Sequence, residues 1–376
     1  MKKIVILGNI LEFQRGYDLT HNEMDNGSYP VEGSTSTIGF HSKYKTENSI
    51  VIGRSGTIGR PRLILGKFWP HNTALFTTNI KKNNLYYVYY LLLNLDIARM
   101  KSGSNIPTLN RNDLYLIHVV YETEYSKQEK IVSVLRAIDY QIKRNEDMVH
   151  KLQVLALSIY NRWFIQFEHI KPSEKLIFNS ELNRTIPENW TVKRIGEICN
   201  LSLGGTPKTD VNEYWNGNLN WLNSGEVANF PIVESELKIT KLGLENSATK
   251  LLKSGTTVVS ITGNIRASFL AIDSCANQSV VGIEENNIYK VGYIYPLINN
   301  LVAYFTKAST GNCQKHINKG AIENAYALIP PIDVMIEYNN IVNGIYEQIK
   351  KISLHNLSLI ELKNKLLPLL INQQLA

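Results

Sequence analysis

The chain is built from two copies of one pattern, and this duplication limits its possible folds more than any other property. Leu7-Gly8-Asn9-Ile10 with Arg15-Gly16 is answered by Ile195-Gly196-Glu197-Ile198 with Leu203-Gly204. The run Ile50–Ile58 is answered by Thr257–Ile265, and Asn72-Thr73 by Asn277-Gln278. Leu109-Asn110-Arg111-Asn112-Asp113-Leu114 is answered by Ile317-Asn318-Lys319-Gly320-Ala321-Ile322. Four matches in the same order, at nearly constant offset, indicate duplication rather than chance.

Each copy ends in a long apolar periodicity. In the first, Ile131, Leu135, Ile138, Ile142, Asn145, Val149, Leu152, Ala156, Ile159 and Trp163 alternate by fours and threes. In the second, Ile341, Ile345, Gln348, Ile352, His355, Leu359, Leu362, Leu366 and Leu369 do so. A sustained spacing of this kind is a coiled-coil seam. The competing reading is that each helix packs only on its own domain, but such helices normally show a wider apolar stripe. Asn145 and His355 are polar seam positions, which cost stability and set register. With two such helices in one chain, each is the simplest partner for the other. Ahead of them, Lys3–Leu7, Ser49–Ile52, Tyr115–Val120 and Thr256–Ile261 are expected strands. Leu85–Leu95 and Tyr293–Tyr304 are expected short helices. Pro172 and Pro187 mark Glu168–Asn189 as a boundary.

The glycine turn Gly53-Arg54-Ser55-Gly56-Thr57-Ile58-Gly59 lacks the Gly-Lys-Ser/Thr ending of a nucleotide loop. It can instead present Arg54, Ser55 and Thr57 to DNA, Arg to guanine or phosphate and the hydroxyls to either. The alternative is a plain hairpin turn with a solvated arginine. Its partner turn offers Thr262, Asn264 and Arg266, so the two turns carry different chemistry. Ser102-Gly103-Ser104-Asn105, ahead of Arg111, and Ser309-Thr310-Gly311-Asn312, ahead of Lys315 and Lys319, are small polar loops. They fit phosphate approach, or ordinary helix-to-strand connections. Arg15 and Lys208, beside their copies' glycines, join the candidate contacts, as does Lys43 in the basic–aromatic run Lys43-Tyr44-Lys45, which also fits a solvated edge. Asn72 and Asn277 could bond adenine, though a turn role is preferred for both.

A formal charge of +7 and a pI near 9.0 favour a polyanionic partner. Hydrophobic residues, 44% of the chain, suffice for packed cores. Cys199, Cys275 and Cys313 are odd in number and lack Cys-x-x-Cys spacing, so neither a disulfide framework nor a zinc module is expected, and a reducing cytoplasm is. The opening MKKIVILGNILEFQ is a poor secretory signal, and no apolar run approaches the roughly 18 residues of a membrane span. Nothing suggests catalysis. There is no Asp/Asn-Pro-Pro-Tyr motif, no glycine-rich cofactor loop behind a strand and no acidic pair followed by Glu-x-Lys. The eight histidines show no metal-ligand spacing, and His71 has no acidic neighbour. No catalytic residue, metal or cofactor is expected.

The ordered motifs resemble those of type I restriction–modification specificity subunits. The first copy carries Leu-Gly-x-Ile, Arg-Gly, Ile-Gly-Arg-Ser-Gly-Thr-Ile-Gly, Trp-Pro-His-Asn-Thr-Ala and Ser-Gly-Ser-x-Ile-Pro-Thr-Leu-Asn. The second carries Ile186-Pro187-Glu188-Asn189-Trp190, Gly204-Gly205-Thr206-Pro207, Glu213-Tyr214-Trp215-Asn216-Gly217 and Trp221-Leu222. The first copy lacks the Pro-x-x-Trp lead-in, and Pro-Pro-x-x-Glu-Gln before the helices is only partial. The resemblance implies an α+β fold: two mixed α/β target recognition domains in tandem, each followed by a long helix, the helices pairing as an antiparallel coiled coil. Expected domains are 1–122 and 190–332 for recognition, 123–168 and 333–376 for the helices, and 169–189 for a linker. In that arrangement Asn145 should meet His355, beside Val149 and Leu359. The implied partners are double-stranded DNA, methyltransferase subunits on the helices and, through the complex, restriction–translocase subunits, with no membrane. The rival reading is a helix-linked protein adaptor that does not bind specific DNA. A methyltransferase with a degenerate motif is a more distant one.

Overall fold

The computed structural model describes residues 2–56, 58, 60–97, 108–170, 173–309 and 316–372. The chain divides into two compact units, Met1–Ile142 with Leu359–Ala376, and Lys143–Ser358. Each long helix therefore contributes to both. The fold is α+β, and the duplication is visible strand by strand.

In the first unit a six-stranded sheet runs in the order Glu12–Arg15, Ala74–Asn79, Thr46–Gly53, Arg62–Pro70, Tyr29–Glu32, Thr37–His41. In the second, Leu201–Leu203, Val280–Ile283, Thr257–Ser260 and Ala267–Phe269 repeat the first four positions of that order. A separate three-stranded sheet repeats the other end: Trp215–Leu222 runs parallel to Ser274–Ala276 and antiparallel to Leu237–Ile239, as Tyr29–Glu32 does to Arg62–Pro70 and Thr37–His41. In both units an early strand pairs antiparallel with the strand that leads into the long helix. Lys2–Ile6 pairs with His118–Glu122, and Thr191–Arg194 with Tyr326–Ile329.

Tyr115–Val120, expected to be a strand throughout, begins in a short helix, Arg111–Tyr115. The reason is local: the Asn110 side chain accepts from the Asn112 amide, an N-cap that outweighs the β preference of the following residues. Asn318 caps Lys319–Glu323 in the same way, through the Ala321 amide at 2.8 Å. Gly16 and Gly204 explain another repeated motif. A Cβ at either position would stand 2.1 Å from a backbone carbonyl oxygen, that of His71 or of Asn277, so no larger residue fits.

Each unit has its own core. In the first, Leu7, Ile10, Ile50, Ile52, Tyr87 and Leu114 pack with Leu135 and, from the second long helix, Leu367 and Ile371. In the second, Tyr160 and Phe164 pack with Tyr293, Tyr338 and Val342. Two hydroxyls of this aromatic cluster are satisfied by backbone, Tyr293 donating to the Leu328 carbonyl and Tyr338 to that of Gly292. Cys199 and Cys275 are free and buried. Among the described residues no helix is long and apolar enough to cross a membrane.

The long helices span Tyr125–Tyr160 and Ile332–Ile371, and within each unit they run antiparallel. In the first unit Asp139 meets Lys363. In the second, Asn145 meets Asn356 at 2.7 Å and Phe164 meets Tyr338 at a ring separation of 4.7 Å. Ile131, Leu135, Ile138, Ile142, Asn145, Val149 and Leu152 are all buried or half-buried. The second seam differs from expectation by one residue. Ile341 and Leu362 are about 45% exposed, and His355 faces solvent, while Ile345, Ile352, Leu359 and Leu366 are only half-buried. The buried row is Met335, Tyr338, Val342, Tyr346, Ile349, Asn356, Lys363 and Leu367. Its two polar members each have a partner on the other helix, so they tolerate burial that apolar counting would deny them.

Candidate nucleic-acid interface

The first glycine turn is held by backbone bonds and leaves its side chains available. Arg54 N–H donates to the Thr73 carbonyl at 2.8 Å, and the Leu109 N–H donates to the Arg54 carbonyl at 2.8 Å. The Ser34 hydroxyl reaches the carbonyls of Ser55 and Thr73. Gly56 supplies the positive φ of the turn, +78°. Around it lies a pocket of about 480 Å³ lined by Arg15, Arg54, Leu75, Thr108, Asn110 and Arg111, among others. Arg15 pairs with Asp18 at 3.2 Å, and Asp18 also accepts from the Asn72 amide. Arg111 donates to the Phe13 carbonyl at 3.2 Å. Among the described residues the Arg54 guanidinium makes no hydrogen bond or ion pair.

The second turn repeats the backbone scheme. Ile261 N–H donates to Ser279, and Ile317 N–H to Ile261, at 2.9 and 3.0 Å. Gly263 has φ +71°. Thr262 is half-buried, and Asn264 and Arg266 are exposed. Lys319, the counterpart of Arg111, likewise reaches back to a carbonyl, that of Leu201 at 3.4 Å, and also pairs with Glu323 at 2.8 Å. Lys319 is thus partly committed to its own domain. Asn277 serves its turn, its side chain accepting from the Ser279 amide. Lys208 is exposed. Thr57, Ser104, Asn105 and Lys315 lie outside the described residues.

The basic–aromatic run is more organised than its sequence suggested. The Lys45 ammonium stands 5.0 Å from the Tyr17 ring and 4.7 Å from that of Trp69. Lys67 stands 4.5 Å from the Tyr44 ring, and its pKa is raised chiefly by the Tyr44 hydroxyl. Lys43 is exposed beside them, its backbone N–H donating to His41 Nδ1. Tyr17 and Trp69 are far apart in sequence, which is why only Lys43–Lys45 were legible. His71 is structural, its ring nitrogens facing the Thr73 hydroxyl and the Leu19 carbonyl. Among the described residues no group of three or more His, Cys, Asp or Glu could hold a metal ion.

Comparison with known proteins puts this repeated arrangement in context. The profile of the family described as the type I restriction modification DNA specificity domain matches residues 2–152 and 187–364. The chain belongs to that family. A specificity subunit is a DNA-recognition component without catalysis of its own, and the two matched stretches correspond to the two copies of the repeat. The chain is 24% identical over 294 residues to the type I restriction enzyme MjaIX specificity subunit of Methanocaldococcus jannaschii, covering 76% of this chain and 68% of that one. It is 17% identical to the HindI specificity subunit of Haemophilus influenzae, covering 66% and 67%. A solved S subunit from M. genitalium shares the fold, with a TM-score of 0.61 at 16% identity over 99% of this chain and 96% of that one.

Proposed function

We propose that the two units read two unlike blocks of duplex DNA, and that the helix pair sets the spacing between the blocks and docks methyltransferase subunits, with restriction–translocase subunits joining through the complex. The observation behind this reading is the pair of turns held by the same backbone bonds but carrying different side chains, Arg54 and Ser55 in one and Thr262, Asn264 and Arg266 in the other. One scaffold with two surfaces suits two different half-sites. Met148, Leu155, Ile336 and Ile341 are exposed apolar residues on the long helices, available to a partner subunit there, which supports the docking part.

Sequencing of methylated adenines in a host carrying the intact operon tests the reading. It expects one asymmetric motif of two blocks with a fixed gap. Symmetric or gapless methylation would contradict it. Salt-insensitive behaviour, with no binding to duplex DNA, would favour the protein-adaptor alternative.

A further inference from the structure

The repeat supplies an internal control for the first unit's pocket. The matched backbone bonds set Arg54 against Ile261 and Arg111 against Lys319. Arg15 stands against Leu203, because Gly16 and Gly204 make the same bond one residue later, to Ala74 and Val280. The pocket of the first unit thus concentrates three guanidinium groups, with Asp18 as the one carboxylate paired to them among the described residues. The equivalent place in the second unit has two apolar side chains and a lysine already neutralised by Glu323. Three cations gathered in one pocket repel each other, and only an anion relieves that repulsion. Arg15 has Asp18 as a partner, and a neutral base edge that took Arg54 or Arg111 in bidentate fashion would leave the other without a counter-charge. Two of the three are also tethered, Arg111 to a carbonyl and Arg15 to Asp18, which orients them in advance.

We propose that the pocket formed by Arg15, Arg54 and Arg111 seats a backbone phosphate of the DNA, and that the described residues of the second unit form no equivalent seat. The proposal rests on the DNA-binding reading above. Its consequence is that the chain grips its two half-sites unequally at this place in the repeat, through a three-arginine seat in the first block that the described residues of the second unit do not reproduce.

Fluorescence anisotropy tests this, using the full chain with its methyltransferase subunits and a duplex carrying the mapped site. Single methylphosphonates are placed at each phosphate in turn. In the unaltered protein, one or two positions in the first unit's block should weaken binding about tenfold, with no comparable position in the other block. Arg54→Gln should weaken all duplexes about equally, lower the salt slope by about one and remove the sensitivity at those positions. Arg54→Lys should retain part of both effects. Because the Arg54 guanidinium makes no bond within the described chain, unchanged circular dichroism and melting are expected of both variants and serve as the folding control. Two results would overturn the proposal: a methylphosphonate profile unchanged in Arg54→Gln, or a loss confined to the choice of one base pair, which would make Arg54 a base reader. If the unaltered complex bound no DNA, the underlying reading would fail instead, before any variant was compared.

Discussion

Lys363 shows how a single charged side chain can belong to a core. Its ammonium bonds Asp139 and lies 5.6 Å from the Tyr90 ring, while the Tyr90 hydroxyl donates to the other Asp139 oxygen at 2.7 Å. Burial, and then the bond to Asp139, raise the Tyr90 pKa, so the hydroxyl stays a donor at any working pH. Lys363→Met would leave the carboxylate with Tyr90 alone. Since Asp139 is about a third exposed, the cost should fall near 1–3 kcal/mol rather than the larger figure for a fully buried pair. Urea denaturation checks it, and Asp139→Asn added to Lys363→Met should restore part of the loss. An unchanged midpoint for Lys363→Met would mean that the pair contributes nothing. The cysteines test burial differently. Burial pushes the Cys199 thiol up to about 12 and that of Cys275 up to about 11. At pH 8 their thiolate fractions should be on the order of a hundredfold or more below that of a free thiol. Peptide mass spectrometry after iodoacetamide should find both unmodified in the native chain and alkylated in urea. Rapid native labelling of Cys199 would contradict its buried position. None of these partnerships was visible in the sequence, because Asp139 and Lys363 lie on different helices and Tyr90 on a third element.

Along the helices, apolar spacing located both long elements but placed only one seam. The first helix puts its apolar residues where it meets its partner, so counting them was enough. The second puts Asn356 and Lys363 in that row and leaves Ile341 and Leu362 outside it. Apolar counting then favours the neighbouring row, turned by one residue. The strands beside the glycine turns, within Thr46–Gly53 and Thr257–Ser260, were legible for the opposite reason, because turn glycines and β-branched runs are local signals; the strands that pair with them carry no such signal and were not. The seam difference can be measured. Asn356→Ala should leave the Asn145 amide without its 2.7 Å partner and cost about 1–2 kcal/mol. His355→Ala, at an exposed position, should stay within about 0.5 kcal/mol of the parent. The reverse ranking in thermal or urea unfolding would restore His355 to the seam. If methyltransferase subunits dock on the exposed apolar residues of the helices, as proposed, Ile341→Glu should weaken co-purification with them while leaving the melting temperature within a few degrees. Retained co-purification would remove Ile341 from the docking surface.

The proposed spacing role makes a quantitative demand on both helices together. Each unit draws its share of helix from one side of Ile142 and Ser358, so an insertion after both residues adds helix without interrupting either core. A heptad keeps the seam facing its partner, because the coiled-coil repeat is seven residues. Seven residues add about 10 Å at 1.5 Å per residue, or roughly 3 bp of duplex. The gap between the two methylated blocks should therefore widen by about three base pairs while each block keeps its sequence. Length is only half of the requirement, since three base pairs also turn the duplex by roughly 100°, given about 10.5 bp per turn. A stiff helix pair cannot follow that rotation, so methylation by the single-heptad variant should be weak as well as shifted. Three heptads add about 32 Å, close to one full turn of 34–36 Å. That variant should bring both units back to the same face of the DNA, with a gap wider by nine or ten base pairs (about one turn) and stronger methylation than the single insertion. Methylome sequencing of the three strains measures both quantities at once. An unchanged gap with methylation retained would show that the helices do not set the spacing. A gap that widens while methylation falls steadily, with no recovery at three heptads, would show that they set length without holding the two units in rotational phase.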